Sequence, residues 1–513
     1  MVQTNRSPER ARSWPAILVL ACLAGPALAQ DNGGPIDIGS RRELMVDDYL
    51  IERMSPELRQ VLHHPVPREI VLVHDRPWEG SGSGYHSVFK DGGLYRMYYK
   101  GWQLTVKGKK LTLPHKLVAC YAESKDGVHW TKPELGIVEF DGSKQNNIVM
   151  ASGKIGGVEA DPGHVAVFKD ENPDCPPEAR YKAIVRSPKP NGLLPFRSPD
   201  GLHWSPMSDK PVITKGAFDS QNLAFWDPVR KEYRAYFRYF TGGRRDILTA
   251  TSKDFLNWSE PVPLRYPGAA AEHLYTNQVK PYHRAPHLLV GFPTRYTDRG
   301  WTESAKALPN LGHRRLRAAA EPRFGTALTE GLLMTSRDGV TFRRWGEAFL
   351  RPGPERPESW AYGDNYIAWH AVETPPTLEG APNELSIYAG EGYWTGTSCR
   401  LRRYTLRLDG FVSLQAPWKG GEMVTKPLTF EGKTLELNFS TSAAGGIRVE
   451  VRDADDRPID GFTLEQCNEV YGDSVERKVS WSGGKDLGAL AGKPVRLRFV
   501  MKDADLYSFR FAP

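Results

Sequence analysis

The chain has 513 residues, 40% hydrophobic, 11% aromatic and 25% charged, with 49 Gly, 40 Pro and a formal net charge of +7. The apolar fraction excludes wholesale disorder, and the unperiodic Gly and Pro exclude collagen-like and coiled-coil forms. The basic bias is mild and without runs, which gives no footprint for a nucleic-acid partner, and the length allows two to four domains.

In chain order, residues 1–29 read as a secretory signal: Arg6, Arg10 and Arg12, then an apolar run over residues 15–24, then Ala27-Leu28-Ala29 before Gln30. The apolar run is too short to span a bilayer, and no later segment reaches 18 consecutive apolar residues. The expectation is a secreted or periplasmic chain without a membrane span. Cys22 raises the alternative of a lipid-anchored start, although Val19-Leu20-Ala21 fits that signal poorly. Beyond the signal, Cys120, Cys175, Cys399 and Cys467 lie far apart without metal-ligand spacing. Four cysteines allow three disulfide connectivities, and the spacing does not choose among them.

Residues 30–70 read as a lead-in strand and linker. From there to residue 415 one phrase recurs: Ser124-Lys125-Asp126-Gly127-Val128-His129-Trp130, Ser198-Pro199-Asp200-Gly201-Leu202-His203-Trp204, Ser252-Lys253-Asp254-Phe255-Leu256-Asn257-Trp258 and Ser336-Arg337-Asp338-Gly339-Val340-Thr341-Phe342. Its content is a turn: Asp folds its carboxylate onto nearby N–H groups, Gly supplies the reversal, and the aromatic pins the next strand. Four equivalent aspartates are not one active site. Strand pairs accompany the phrase, at residues 88–99, 164–185, 223–238, 278–292 and 366–389, and a degenerate copy at Asp409-Gly410-Phe411 ends the fifth unit. Five turn-rich four-strand units predict a five-bladed β-propeller over residues 71–415. Residues 301–329, rich in Arg and Ala, form the largest insert, a short helix or an ordered cover. From residue 416 the phrase disappears and the strands alternate with period two, as in Leu435-Glu436-Leu437-Asn438-Phe439. That pattern predicts a C-terminal β-sandwich over 416–513 in an all-β chain.

In a propeller the innermost strands converge on one axial cavity, so the polar residues that open them are the site candidates. They are Glu79 and His86 in the first blade, Asp161 in the second, Asp219 with Asn222 in the third, Glu272, His273 and Asn277 in the fourth, and Asp364 in the fifth. Paired carboxyls, one neutral and one ionised, are the apparatus of glycoside cleavage. Glu272, flanked by alanines, reads as the acid, and Asp219, beside Ser220, Gln221 and Asn222, as the base or nucleophile. Glu79 and Asp364 form the next pair, and Arg238 and Arg295 are candidates for binding sugar hydroxyls or a carboxylate. No metal motif, Gly-x-Ser-x-Gly nucleophile or phosphate loop is present, so no cofactor or metal is expected.

The Ser-x-Asp-Gly-x-x-Trp strand ends and the five units resemble the propeller glycoside hydrolases related to families 32 and 43. The stretch Gly421-Glu422-Met423-Val424-Thr425-Lys426-Pro427-Leu428 and the terminal Asp503-Ala504-Asp505-Leu506-Tyr507-Ser508-Phe509 resemble the family 32 sandwich. The resemblance implies an exported glycosidase with an acidic axial site and a carbohydrate substrate. The chain lacks the Trp-Met-Asn-Asp-Pro-Asn-Gly, Arg-Asp-Pro and Glu-Cys motifs of those families, so their roles do not transfer position by position. Two other functions fit the same residues. One is a carbohydrate-binding propeller without catalysis. The other is a sialidase-like hydrolase of an acidic sugar, with Arg238, Arg244 and Arg295 receiving the carboxylate.

Overall fold

The computed structural model describes residues 34–513. The signal-like segment 1–29, its cleavage site and Cys22 lie outside the described residues.

Four sheets built on four strands follow one another along the chain, the first with an extra strand at Ile148–Ala151 and the second with one at Gly153–Ile155. The first blade orders Gly84–Asp91, Leu94–Gly101, Val118–Ser124 and Trp130–Thr131 from the axis outward. The second runs Val158–Lys169, Tyr181–Pro188, Asn191–Ser198 and Ser205–Pro206, and the third Leu223–Asp227, Glu232–Thr241, Arg244–Ser252 and Val262–Pro263. The fourth uses Lys280–Tyr282, Ala285–Gly291, Met334–Ser336 and Arg343–Arg344, with a three-stranded side sheet of His273–Leu274, Thr294–Asp298 and Ala327–Gly331.

The fifth blade takes Val372–Thr374, Glu384–Glu391 and Arg400–Arg407 from its own region and its outer strand, Val66–Val73, from the start of the chain. Leu401 faces Leu72 and Tyr404 faces Pro67 across that junction. Residues 366–370 contribute isolated bridges, Ser87 to Trp369 and Ile367 to Ala389, in place of the expected inner strand.

At the axis the blades are joined by side-chain amides. Gln221 Nε2 donates to the Tyr85 carbonyl at 2.9 Å, and Gln278 Nε2 donates to Gln221 Oε1 at 2.8 Å and the Ile367 carbonyl at 3.0 Å. Trp369 closes the ring, its amide donating to the His86 carbonyl and its indole to the Val279 carbonyl. Buried polar groups satisfied in this way fix the blades against one another.

All four repeated phrases are turns between third and fourth strands. Asp126 Oδ1 accepts from the Val128 and His129 amides at 2.8 Å, and Asp200, Asp254 and Asp338 repeat the pattern. Neighbouring blades grip three of the turns: Tyr388, Tyr98 and Tyr236 donate their hydroxyls to the Gly127, Gly201 and Gly339 carbonyls.

The segment at Asp409 departs from this expectation. Its carboxylate is fully buried, and the outer strand of its blade comes from residues 66–73, so no fourth-strand turn is needed there.

Besides a two-stranded ribbon of Thr105–Lys107 and Lys110–Thr112, a further sheet has ten strands. It joins Thr434–Asp453, Asp473–Lys478 and Val495–Ala512 to Ile36–Gly39, Glu43–Leu44, Ile51–Met54 and Arg59–Leu62. The lead-in strands therefore belong to this sheet, around a core that includes Ile38, Leu437, Val449, Leu497 and Phe509. Their sequence partners lie some four hundred residues away, which is why local patterning reads them as a linker. The four later cysteines are free thiols. No helix among the described residues is long and apolar enough to cross a membrane.

Candidate functional site in the axial cavity

A cavity of about 310 Å³ opens where the inner strands begin. Its walls are aromatic: Tyr85, Trp102, Tyr275, Tyr366, Tyr393 and Trp394. The insert at 301–329 forms three short helices, Glu303–Ala307, Leu311–Ala320 and Arg323–Thr326, and supplies Arg323 and Phe324 to one wall. Arg317 anchors the insert, donating to the Tyr362 carbonyl at 2.9 Å and lying 4.8 Å over Trp394.

Asp219 turns a side chain that is 67% exposed into this cavity. His164 Nε2 lies 3.3 Å from its Oδ1, and Arg186 Nη1 lies 3.6 Å away. His164, with Arg238 and Arg186 near it, holds the Asp219 carboxyl well below the ordinary carboxylate range. The same two partners reach Asp161, Arg186 Nη1 at 3.3 Å and His164 Nδ1 at 3.6 Å. Burial works to raise Asp161, but His164, the Gly163 amide and Arg186 outweigh it and hold its carboxyl down. Two carboxylates thus share one imidazole and one guanidinium.

Lys100 enters from the second strand of the first blade. It is 3% exposed, sits 4.1 Å over the Trp102 ring and 4.7 Å over Tyr85, and has no hydrogen-bond acceptor among the described residues. Burial pushes its ammonium down to about 8. His86 also lines the cavity; burial, with His74 at 3.0 Å and Lys100 near, lowers it well below the usual imidazole value.

The structure brings together Asp161, Asp219, His86 and Arg238 of the residues singled out by sequence, and separates the rest. Glu272 is not across the cavity from Asp219. It lines a different cleft, where Arg295 Nη1 takes one oxygen at 3.0 Å and Arg344 the other, so neither it nor Arg295 serves the axial site. Arg244 stands in that cleft beside Asp246. Glu79 is buried as an acceptor for Tyr99 and Lys132, both at 2.6 Å.

Asp364 is buried too, its oxygens capping the Ala361 and Tyr393 amides, and burial pushes it up to about 7. Its carboxyl faces those amides and not the cavity lining. Asn222 caps the Phe218 and Ser220 carbonyls, and Asn277 donates to the Tyr236 carbonyl; both are scaffold. Gln221, expected to solvate Asp219, is the axial link described above. His273 Nδ1 accepts from the Arg245 amide at 3.2 Å and so positions that residue from behind.

Sequence reasoning passed over Lys100, His164, Arg186, Arg245 and Arg323. The usable signal was a cation closing an apolar or aromatic strand, as in Tyr98-Tyr99-Lys100 and Ile184-Val185-Arg186. Among the described residues no group of three His, Cys, Asp or Glu side chains is placed to hold a metal ion.

No family model matches the chain. No curated protein sequence matches it either. Solved structures similar to it include an N-acetylgalactosamine deacetylase from F. plautii in complex with blood group B trisaccharide, at 13% identity and a TM-score of 0.40, covering 69% of this chain and 97% of that one. A glycosyl hydrolase from Bacteroides ovatus is similar at 12% identity and a TM-score of 0.35, covering 69% and 96%. A fructofuranosidase from Schwanniomyces occidentalis complexed with fructosylnystose is similar at 12% identity and a TM-score of 0.34, covering 88% and 97%. Overlaps of this depth do not carry an activity from one chain to another; the chemistry has to come from the cavity itself.

Proposed function

We propose that the chain is a glycoside hydrolase and that the axial cavity is its active site. The observation that carries this reading is Asp219: an exposed carboxylate, held ionised by His164, in a cavity walled by tyrosine and tryptophan. Aromatic faces suit the apolar faces of sugar rings. An ionised carboxylate beside a scissile bond is the half of the hydrolytic apparatus that acts on the anomeric side.

In this reading Asp219 takes a proton from a water as its oxygen bonds to the anomeric carbon. The bond from that carbon to the glycosidic oxygen breaks, and Lys100 gives the leaving oxygen its proton. With its ammonium at about 8, Lys100 is still charged at neutral pH and gives up a proton more readily than an ordinary lysine. His164 and Arg186, shared with Asp161, position the Asp219 carboxylate. The Asp219 and Glu272 pairing is set aside for Asp219 and Lys100. The enzyme is proposed to work outside the cytoplasm after loss of residues 1–29; protein recovered from an expressing cell's exterior should begin at Gln30, and an intact Met1 there would remove that part.

The test is a screen of oligosaccharide hydrolysis followed by Asp219→Asn. Turnover of at least one glycan, abolished by D219N with Tm nearly unchanged, is the expected result. Sugar binding without any turnover would make the propeller a binding module, and full activity in D219N would end the assignment.

A further inference from the structure

The axial cavity continues into a second opening of about 340 Å³, the two sharing Arg186, Asp219, Tyr275 and Arg323. Arg238 and Arg245 complete its lining of four guanidiniums; Arg186 is answered by Asp161 and Asp219 and Arg323 by Glu321 at 3.9 Å, which leaves Arg238 and Arg245. Elsewhere most partly or fully buried arginines meet a carboxylate, and Arg314 and Arg317, which do not, spend their nitrogens on backbone carbonyls. Glu272 answers Arg295 and Arg344, Glu391 answers Arg356 and Arg402, and Asp409 answers Arg42 and Arg284.

Around Asp219 the count does not balance. Arg238 spends its Nε on the Ala217 carbonyl at 3.2 Å and stands over Tyr275 and Phe240, at 5.2 and 5.4 Å. Arg245 lies 4.9 Å over Tyr275 and 4.7 Å over Tyr296, and its Nε is buried without a partner. Neither has a carboxylate within salt-bridge distance among the described residues. Arg323 gives one nitrogen to the Tyr362 hydroxyl at 3.2 Å, and the Arg186 Nε is also buried without a partner.

Holding like charges together in a half-buried place costs free energy unless an anion enters. The rings beside Arg238 and Arg245 take none of their N–H groups as carboxylates would, which leaves guanidinium donors for a planar or tetrahedral oxyanion. We infer that this opening seats an anionic substituent of the substrate, a sugar carboxylate or a sulfate ester, and that the glycan is therefore an acidic one. The inference rests on the hydrolase reading for its placement beside Asp219, but its evidence is the uncompensated pair Arg238 and Arg245 alone.

The test is equilibrium binding of glucose, glucuronic acid and glucose 6-sulfate to the intact protein at low and high salt. One of the two anions should bind well ahead of glucose and weaken with added salt. Arg238→Gln and Arg245→Gln should each weaken it by about tenfold or more, the scale of a hydrogen bond to a charged group, and weaken glucose by clearly less. The carboxylate and sulfate arms identify which oxyanion the opening takes. Equal binding of all three sugars, or anion binding indifferent to both substitutions, overturns the inference. The outcomes separate the two readings: turnover confined to neutral glycans removes the anionic subsite alone, and arginine-dependent anion binding without any turnover removes the hydrolase alone.

Discussion

Lys100 shows how a residue can be costly to the fold and useful to the site. Its ammonium is buried against Trp102 and Tyr85 with no acceptor among the described residues, and its lowered value means that the folded state disfavours the charge. From an ordinary lysine value to about 8, the penalty is on the order of 3 kcal/mol. It is fully present below about pH 8, shrinks as pH rises, and vanishes above the unfolded lysine value, where both states are neutral. Lys100→Met should therefore raise stability at pH 7 and lose that advantage by about pH 11, measured as denaturation midpoints across pH. The same variant should lower kcat sharply. In the parent enzyme kcat should fall as pH rises through about 8, where the proton donor empties, and that limb should be absent from the residual activity of the variant. A K100M variant as active as the parent would move the proton donor elsewhere.

Turns and strands differ in how far the amino-acid sequence alone reveals them. The repeated phrase is legible because its bonds are local: a side chain, two or three following amides and one glycine. Copy three breaks the glycine rule, with Phe255 at a φ of 69° where Gly127, Gly201 and Gly339 stand at 76°, 81° and 79°. The left-handed region costs a side-chain-bearing residue about 1–2 kcal/mol. Phe255 is fully buried, with its ring 5.1 Å from Tyr233 and 5.8 Å from Phe168, and such a ring contributes about 3–5 kcal/mol. Packing wins over strain, so Phe255→Gly should destabilise by about 2 kcal/mol in denaturant titration, and a stabilised variant would show that backbone strain outweighs the packing of the ring. Roles that depend on distant partners were not legible. An alanine-rich flank suggested a neutral Glu272, but Arg295 and Arg344 arrive from other strands. The boundary at residue 70 cuts through the strand Val66–Val73, because the strand it completes lies at residues 400–407.

At the scale of the whole molecule, propeller and sandwich meet on one buried carboxylate. Asp409 accepts from the Tyr282 hydroxyl at 2.8 Å and Arg284 Nε at 2.9 Å on the fourth blade, and from Asn438 Nδ2 at 3.0 Å and Ser508 Oγ at 2.8 Å on the ten-stranded sheet. Arg42, from the lead-in strands, stands 3.5 Å away. Burial works to raise the Asp409 carboxyl, but Arg284, Arg42 and the neutral donors outweigh it and hold it below the ordinary aspartate value. Its contribution is then complete above the unfolded aspartate value near 4 and is lost as pH falls through the lower folded value. Asp409→Asn keeps the shape but leaves Arg42 and Arg284 with only the half-exposed Glu476 as a carboxylate partner, a loss towards the lower end of the roughly 3–5 kcal/mol of a broken buried pair. The variant should unfold at a markedly lower Tm at pH 7, and its disadvantage should narrow below pH 4, where the parent also loses the charge. Because the bond set spans both units, calorimetry should show the single transition of the parent broadening or dividing in D409N. A variant with parental Tm and one sharp transition would mean that the two units are coupled through their apolar contact and not through this carboxylate.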